Sequence, residues 1–357
     1  MSLHSHTSSS RESLDFIPRI CGKVPLLREA EQAYRRRYAR VHGHPLDYTQ
    51  AWWTPPLTPD EALRVELGQI ESLGLRPIVS LTDHDTIDGV LALRSRPATQ
   101  DTLISVEWTV PFEASFFHLG IHNLPPAQAA AIQQALETYT ATPDETKLRD
   151  LLVFLNRDTG ILVVFNHPMW DEKGIGQNVH VEQVYRFLSR YKLGVHALEL
   201  NGLRPWKENR SVIRLAMEAG LPLVSGGDRH GWEPNANLNL TNATSFPEFV
   251  EQVRMDRCSD IVFLPQYQQC VPSRVVDTLC DVMRPNPNHG LGWHRWSDRV
   301  FRRERSGVVR PLSAYWDATG GTPSLVRAFI STMRIVESRR VRSAMRAAFG
   351  PQEELAW

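Results

Sequence analysis

The stretch Leu75-Arg76-Pro77-Ile78-Val79-Ser80-Leu81-Thr82-Asp83-His84-Asp85 runs from apolar, β-rich residues directly into acids and a histidine. Leu75 to Leu81 reads as a buried parallel strand, and Thr82-Asp83-His84-Asp85-Thr86 as the turn at its C-terminal end. A continuous apolar run is what a strand covered on both faces requires. A histidine at the end of such a strand is poorly explained by core packing. Asp83 or Asp85 is expected to orient the ring by accepting its second N–H. The plainer reading is that Asp85 or Thr86 only starts the next helix.

The same layout recurs along the chain. Leu103 to Val106 runs into Glu107, Gly160 to Phe165 into Asn166-His167-Pro168, and Leu221 to Val224 into Ser225-Gly226-Gly227-Asp228-Arg229-His230. His196 to Leu200 contains Glu199 and stops at Asn201-Gly202. Helical patterns lie between these runs. Thr58-Pro59-Asp60-Glu61 opens one with a capping box and a first-turn proline, followed by Leu63, Leu67 and Ile70 on one face. Asp144 to Asn156, Val181 to Tyr191 and Ser211 to Ala219 are others, the last stopped by Gly220. Strand–helix alternation with polar residues at strand C-termini is the layout of a parallel α/β barrel.

Two segments depart from plain alternation. Residues 15–57 follow the first strand as an insertion, helical and basic at Glu29 to Tyr38, then Trp52-Trp53-Thr54-Pro55-Pro56. Such an insertion is expected over the mouth of the barrel, as a lid or as a packing helix on its rim. Residues 266–357 are expected to form a helical extension after a domain of residues 1–265. Pro272 to Met283 is one helix there. Thr322 caps a last one with Leu325, Phe329, Ile330, Met333 and Val336 on its apolar face. That helix also carries Arg327, Arg334, Arg339, Arg340, Arg342 and Arg346, a face for an acidic partner or, more simply, a solvated one.

The chain has 357 residues, 42% apolar and 22% charged, with 40 basic against 40 acidic residues. This is ordinary for a globular protein and carries no overall polyanion-binding signature. Cys21, Cys258, Cys270 and Cys280 show no Cys-x-x-Cys spacing and suggest a reduced, cytoplasmic setting. No leader peptide and no membrane-spanning run is expected.

His4 and His6, in Leu3-His-Ser-His-Thr7, are two residues apart and so face one way on a strand. Asp228 and His230 repeat that period. Alone, a His-x-His near a terminus is a weak signal, His118 between Phe117 and Leu119 resembles a core histidine, and Glu107 could pair with an Arg. Together they recur at successive strand ends, where barrel sites draw one or two residues from each strand. Imidazole and carboxylate in this number suit Zn, Mn or Fe(II). His122 is a spare nearby.

This ordered set resembles the polymerase-and-histidinol-phosphatase family of metal-dependent phosphoesterases. The residues that carry the likeness are Leu3-His-Ser-His-Thr-Ser8, Leu81-Thr-Asp-His-Asp-Thr-Ile-Asp-Gly89, Val106-Glu107, His118-Leu-Gly120, Asn166-His-Pro168 and Gly226-Gly-Asp-Arg-His230, across roughly residues 1–265. The resemblance implies a distorted (β/α)7 TIM-like barrel holding two or three divalent ions. It implies a first ion on His4, His6, Glu107 and Asp228, a second on Glu107, His118 and His167, and a third on His84 and His230. The family adds one more ligand a few residues after the His-x-His. Here the stretch reads Ser10-Arg11-Glu12-Ser13. Either Glu12, the expected ligand, fills that place, or Arg11 replaces the third ion by a fixed positive charge.

The chemistry the resemblance implies is hydrolysis of a phosphomonoester, with a small-molecule or nucleotide phosphate as substrate. Ions activate a water and neutralise the phosphate oxygens, with Asp228 as ligand; one ion assists the leaving group, or His84 or His230 serves as acid if the third ion is absent. Arg11, Arg204 and Arg229 are candidate phosphate contacts because the guanidinium fork suits phosphate. Arg204 has an ion pair with Glu208 as its plainer role, and Arg229 alternates with the ligands. The alternatives are a phosphodiesterase or nuclease, and a non-catalytic metal-binding module. Nucleic acid is not otherwise supported as a partner, and no membrane is expected.

Overall fold

A computed structural model describes residues 1–22, 25–269, 271–318 and 321–336. Its strands, in chain order, are β1 (Glu12–Ser13), β2 (Ala51–Trp53), β3 (Val106–Phe112), β4 (Ser115–His122), β5 (Leu162–Asn166), β6 (Ala197–Asn201), β7 (Leu223–Gly226), β8 (Asn237–Leu240), β9 (Asp260–Phe263), β10 (Val300–Arg303) and β11 (Val309–Pro311). The central sheet runs in the order β3-β4-β5-β6-β7. It is mixed: β3, β4 and β5 pair antiparallel, and β5, β6 and β7 parallel.

The antiparallel pairing departs from the expected all-parallel layout. Its cause is local. Phe112 pairs with Ser115, so Glu113-Ala114 is a two-residue hairpin loop, with Glu113 at φ 48°. A loop that short can join only antiparallel strands. The usual hairpin signal, Asn-Gly or Asp-Gly, is absent from it.

The named strands make an open sheet, not a closed barrel. Two extended segments lie between its edges, β7 and β3, joined by single bridges: Ser5 to Arg229, Ser2 to Val79 and His84 to Glu107. The backbone bonds His6 N–H to Arg229 O (2.8 Å), Thr82 N–H to Ser5 O (2.9 Å) and Glu107 N–H to Asp83 O (3.1 Å) run in the same sequence. Leu75 to Leu81 is therefore not the regular strand expected from its composition. Leu75 is exposed, and burial begins only at Val79. Glu107 likewise sits second in β3 rather than at the end of a strand.

Helices Ala129–Ala141, Glu145–Arg157, Gln177–Tyr191 and Trp206–Ala219 cover the sheet. Trp108, Phe117, Phe165 and Phe187 anchor the largest core. Each such ring, fully buried, contributes about 1.5–3 kcal/mol. Gly220 takes the left-handed cap at φ 59°. The helix Pro59–Ser72 starts with the expected capping box: Glu61 N–H donates to Thr58 Oγ1, and Thr58 N–H donates to Glu61 Oε2 at 2.9 Å.

The insertion and the C-terminal segment meet in a second sheet, β1-β2-β10-β11. Trp53 pairs with both Glu12 and Val300, and Trp52 with both Ser13 and Phe301. The insertion contains helices Ile17–Gly22 and Pro25–His42, but it returns to the domain as a strand. The C-terminal segment is correspondingly not purely helical. It contains the β10–β11 hairpin between the helices Val271–Val282 and Leu312–Ala318. Trp293 packs on Phe301 and Trp296 on Trp316. Arg339, Arg340, Arg342 and Arg346 lie outside the described residues, as do the side chains of Leu325, Phe329, Met333, Arg334 and Val336. No helix among the described residues is long and apolar enough to cross a membrane.

The Thr58 cap supports a test of the fold. Thr58→Ala should lower stability by about 1 kcal/mol in denaturant melts, the usual loss for an N-cap; an unchanged midpoint would mean the box contributes nothing.

Candidate metal centre

His4 and His6 share one side of an extended segment, and their Nε2 atoms lie 3.1 Å apart. Both meet Glu107, which is wholly buried. Glu107 Oε2 is 3.0 Å from His4 Nε2, 3.3 Å from His6 Nε2 and 3.2 Å from His84 Nε2. Its Oε1 is 3.2 Å from His167 Nε2 and 3.6 Å from His118 Nδ1. Asp228 Oδ1 adds contacts of 3.6 Å to His4 and 3.4 Å to His6. Glu12 completes the far side, 3.2 Å from His84 Nε2 and 3.5 Å from His230 Nε2.

These atoms form overlapping groups able to hold cations: His4, His6 and Glu107; His4, His167 and Asp228; His84, Glu107 and His118; and His6, Glu12, His84 and His230. The donor set fits such ions. Two imidazole nitrogens 3.1 Å apart repel unless a proton or cation lies between them, and five imidazoles on one carboxylate exceed the hydrogen bonds its two oxygens need. Ligand bonds of roughly 2.0–2.1 Å put neighbouring ligand atoms roughly 3.0–3.4 Å apart, close to the 3.0–3.6 Å of these contacts.

Electrostatics point the same way. Burial opposes charge on every member. Glu107, Glu199 and Asp228 nonetheless hold His4 well above the usual histidine range, and Glu12 and Glu107 do the same for His84. Burial, with His230 and His84 adding to it, pushes His6 down to about 4. Burial pushes Glu107 and Asp228 up, but their histidine neighbours, His4 first, keep both well below the usual carboxylate range.

A second layer orients the first. Glu199 Oε1 is 2.6 Å from His4 Nδ1, and Glu199 Oε2 accepts from His167 N–H at 2.8 Å. Asn166 Nδ2 donates to Glu107 at 2.9 Å, and Asn201 Nδ2 donates to Asp228 at 3.1 Å. Ser10 Oγ donates to Glu12 at 2.7 Å and accepts from His84 N–H at 3.0 Å. Sequence reasoning missed these roles. Glu199 lies inside an apolar strand, and its one usable signal is that a carboxylate buried there must find a partner. A Cβ on Gly226 would fall on the Glu199 carboxylate, and one on Gly227 on Asn235, which explains the Gly-Gly pair. His167 (φ 28°) and Asp228 (φ 53°) hold left-handed backbone, a strain found where side chains must be aimed.

Other expected residues fall elsewhere. Neither Asp83 nor Asp85 bonds the His84 ring: Asp83 accepts from Thr7 N–H (2.6 Å) and Oγ1 (2.8 Å), and Asp85 from Thr109 N–H (2.7 Å). Arg11 precedes β1, and its guanidinium lies 5.7 Å over Trp52 rather than among the metal groups. Arg204 bonds Glu208 at 2.8 and 3.0 Å and stacks on Trp170 at 4.4 Å. Arg229 is buried, with its guanidinium on Glu66 (3.1 Å) and Gln69. His122 bonds Ser80 at 2.8 Å, outside the groups, and burial pushes it down to about 3.

No protein-family model and no curated protein matches the chain. Similar solved structures include a candidate metal-dependent phosphoesterase from Bifidobacterium adolescentis, at 16% identity over 56% of this chain and 91% of that one, with a TM-score of 0.34. An amidohydrolase from Chromobacterium violaceum, with bound sulfate and no metal, is 16% identical over 50% of this chain and 84% of that one, with a TM-score of 0.34. PsfC from Pseudomonas syringae is 18% identical over 61% of this chain and 87% of that one, with a TM-score of 0.40.

Two measurements test this centre. Glu199→Gln should weaken metal affinity about 10–100-fold, as loss of an orienting partner does, with the melt of the ion-free protein little changed. His4 and His84 hold protons above the usual range in the ion-free protein, so an ion binding there displaces them. Affinity should then rise with pH. Calorimetry at neutral pH in buffers of different ionisation enthalpy should show about one proton released from each of His4 and His84; no release would show that these two rings are not ligands.

Proposed function

We propose that this chain is a metal-dependent phosphoesterase acting on a phosphomonoester, with the site at one end of a distorted (β/α)7-like ring that the single bridges close. The observation that carries this reading is Glu107, one buried carboxylate shared by five imidazoles. His4, His6, Glu107 and Asp228 would hold one divalent ion. Glu107, His118 and His167 would hold another, and Glu12, His84 and His230 a third. Such ions, whether Zn, Mn or Fe, supply an activated water and neutralise charge on the phosphate oxygens.

The chain's own groups do the rest. Glu107 keeps its charge and fixes the spacing of the groups on either side. Glu199 keeps His4 oriented through Nδ1, and Asn201 holds Asp228. With no ion in the third group, Glu12 raises the pKa of His84 and of His230 against the burial of both, and either ring could then carry a proton at Nε2 and deliver it to the leaving oxygen. Three divalent charges against Glu12, Glu107 and Asp228 leave a positive excess, and that excess suits a dianionic monoester better than a monoanionic diester. One observation favours the diester or nuclease reading instead. Residues 295–310 hold six Arg against two acids, and their β10 strand lies in the sheet that carries Glu12.

The expected result is hydrolysis of 4-nitrophenyl phosphate that requires added Mn, Zn or Fe(II) and is abolished by a chelator. Asp228→Ala and His6→Ala should lose bound metal, by elemental analysis, with the circular dichroism spectrum retained. Absence of metal-stimulated turnover on mono- and diesters alike would sink the enzyme reading and leave a metal-binding module.

A further inference from the structure

The inner face of the second sheet presents an indole that the metal groups do not use. Trp53 is the register partner of Glu12 across β1 and β2. Residues directly opposed in an antiparallel pair project from the same face. Glu12 faces His84 and His230, so Trp53 faces them too, and its ring lies 5.6 Å from His230 at 39°. Alternation sends Trp52 to the other face, where Arg11 covers it and Phe301 stacks on it at 5.9 Å.

The two neighbouring indoles thus differ in use. Trp52 is consumed by packing. Trp53 is half-buried, its one ring contact among the described residues is His230, and its N–H donates to none of them. The row of rings Trp53, His230, His6, His84, His118, His167 and Trp170 runs through the site, with neighbouring centroids 4.3–5.6 Å apart. At its other end Trp170 already carries the Arg204 guanidinium. Trp53, half-buried, is the end of the row that carries no further ring or cation among the described residues, and pairing on both sides of β2 holds its backbone in place.

We propose that Trp53 is a specificity-determining stacking platform: it binds esters whose leaving group carries a planar ring, aryl or heteroaryl, while the phosphoryl group lies at the metal groups. This rests on the phosphoesterase reading above. An indole face offers a ring dispersion and quadrupole contact that an alkyl leaving group cannot match.

The test uses the metal-loaded full chain and two non-hydrolysable probes, phenylphosphonate and methylphosphonate, with affinities measured by calorimetry. Wild type should bind the phenyl compound about tenfold more tightly, the scale of one good ring contact. Trp53→Ala should remove that preference with methylphosphonate affinity unchanged, and Trp53→Phe should retain most of it. Binding of neither probe, equal binding of both by wild type, a preference that survives Trp53→Ala, or an equal loss for both probes overturns the proposal. If no ester is hydrolysed but the preference depends on Trp53, the phosphoesterase reading fails and the platform stands. Hydrolysis without such a preference does the reverse.

Discussion

The Glu107 carboxylate, wholly buried and ringed by imidazoles, is the constraint on which the rest of the molecule depends. An ionised carboxylate out of water costs several kcal/mol unless charge or hydrogen bonds compensate it. Its neighbours are imidazoles and the Asn166 amide rather than a guanidinium. A neutral imidazole can donate one hydrogen bond, but five of them crowd two oxygens, and the remainder compensate when protonated or when cations lie between. The fold brings them from every part of the chain. His4 and His6 come from the first extended segment, His84 from the next, His118 from β4, and His167 from the end of β5. The single bridges between the edges of the open sheet let the first two segments reach Glu107.

Much of this convergence was legible because short-range rules govern it. A period of two fixes the shared side of His4 with His6, and polar residues directly after apolar runs mark strand ends. The second layer was less legible. Glu199 looks like one more residue of a core strand until the Cβ-free Gly226 is seen beside it. The strand direction of β4 was hidden because Glu113-Ala114 carries no turn signal. The pairing of residues 12–13 with 52–53, and of 51–53 with 300–302, was beyond sequence periodicity altogether, since it joins segments far apart in the chain.

The Arg11-Glu12 pair shows how such long-range pairing decides chemistry. On sequence, either residue could face the site. Register with Trp53 puts Glu12 on the inside, and Arg11, one residue before the strand, lies over Trp52 instead. The charge at this position is therefore negative, which suits a third cation and argues against an Arg standing in for one.

That choice ties the site to the C-terminal segment. β1 is only two residues long and pairs with β2 alone, and β2 is held on its other side by β10. A strand so short has too few backbone bonds to keep a side chain aimed by itself. Phe301, packed between Trp52 and Trp293, is what fixes β2. Glu12 therefore reaches His84 and His230 through a chain of contacts that ends some 290 residues away in sequence. The segments outside the strand–helix alternation are part of the site's construction: through β2 and β10 they set the place of Glu12 beside His84 and His230.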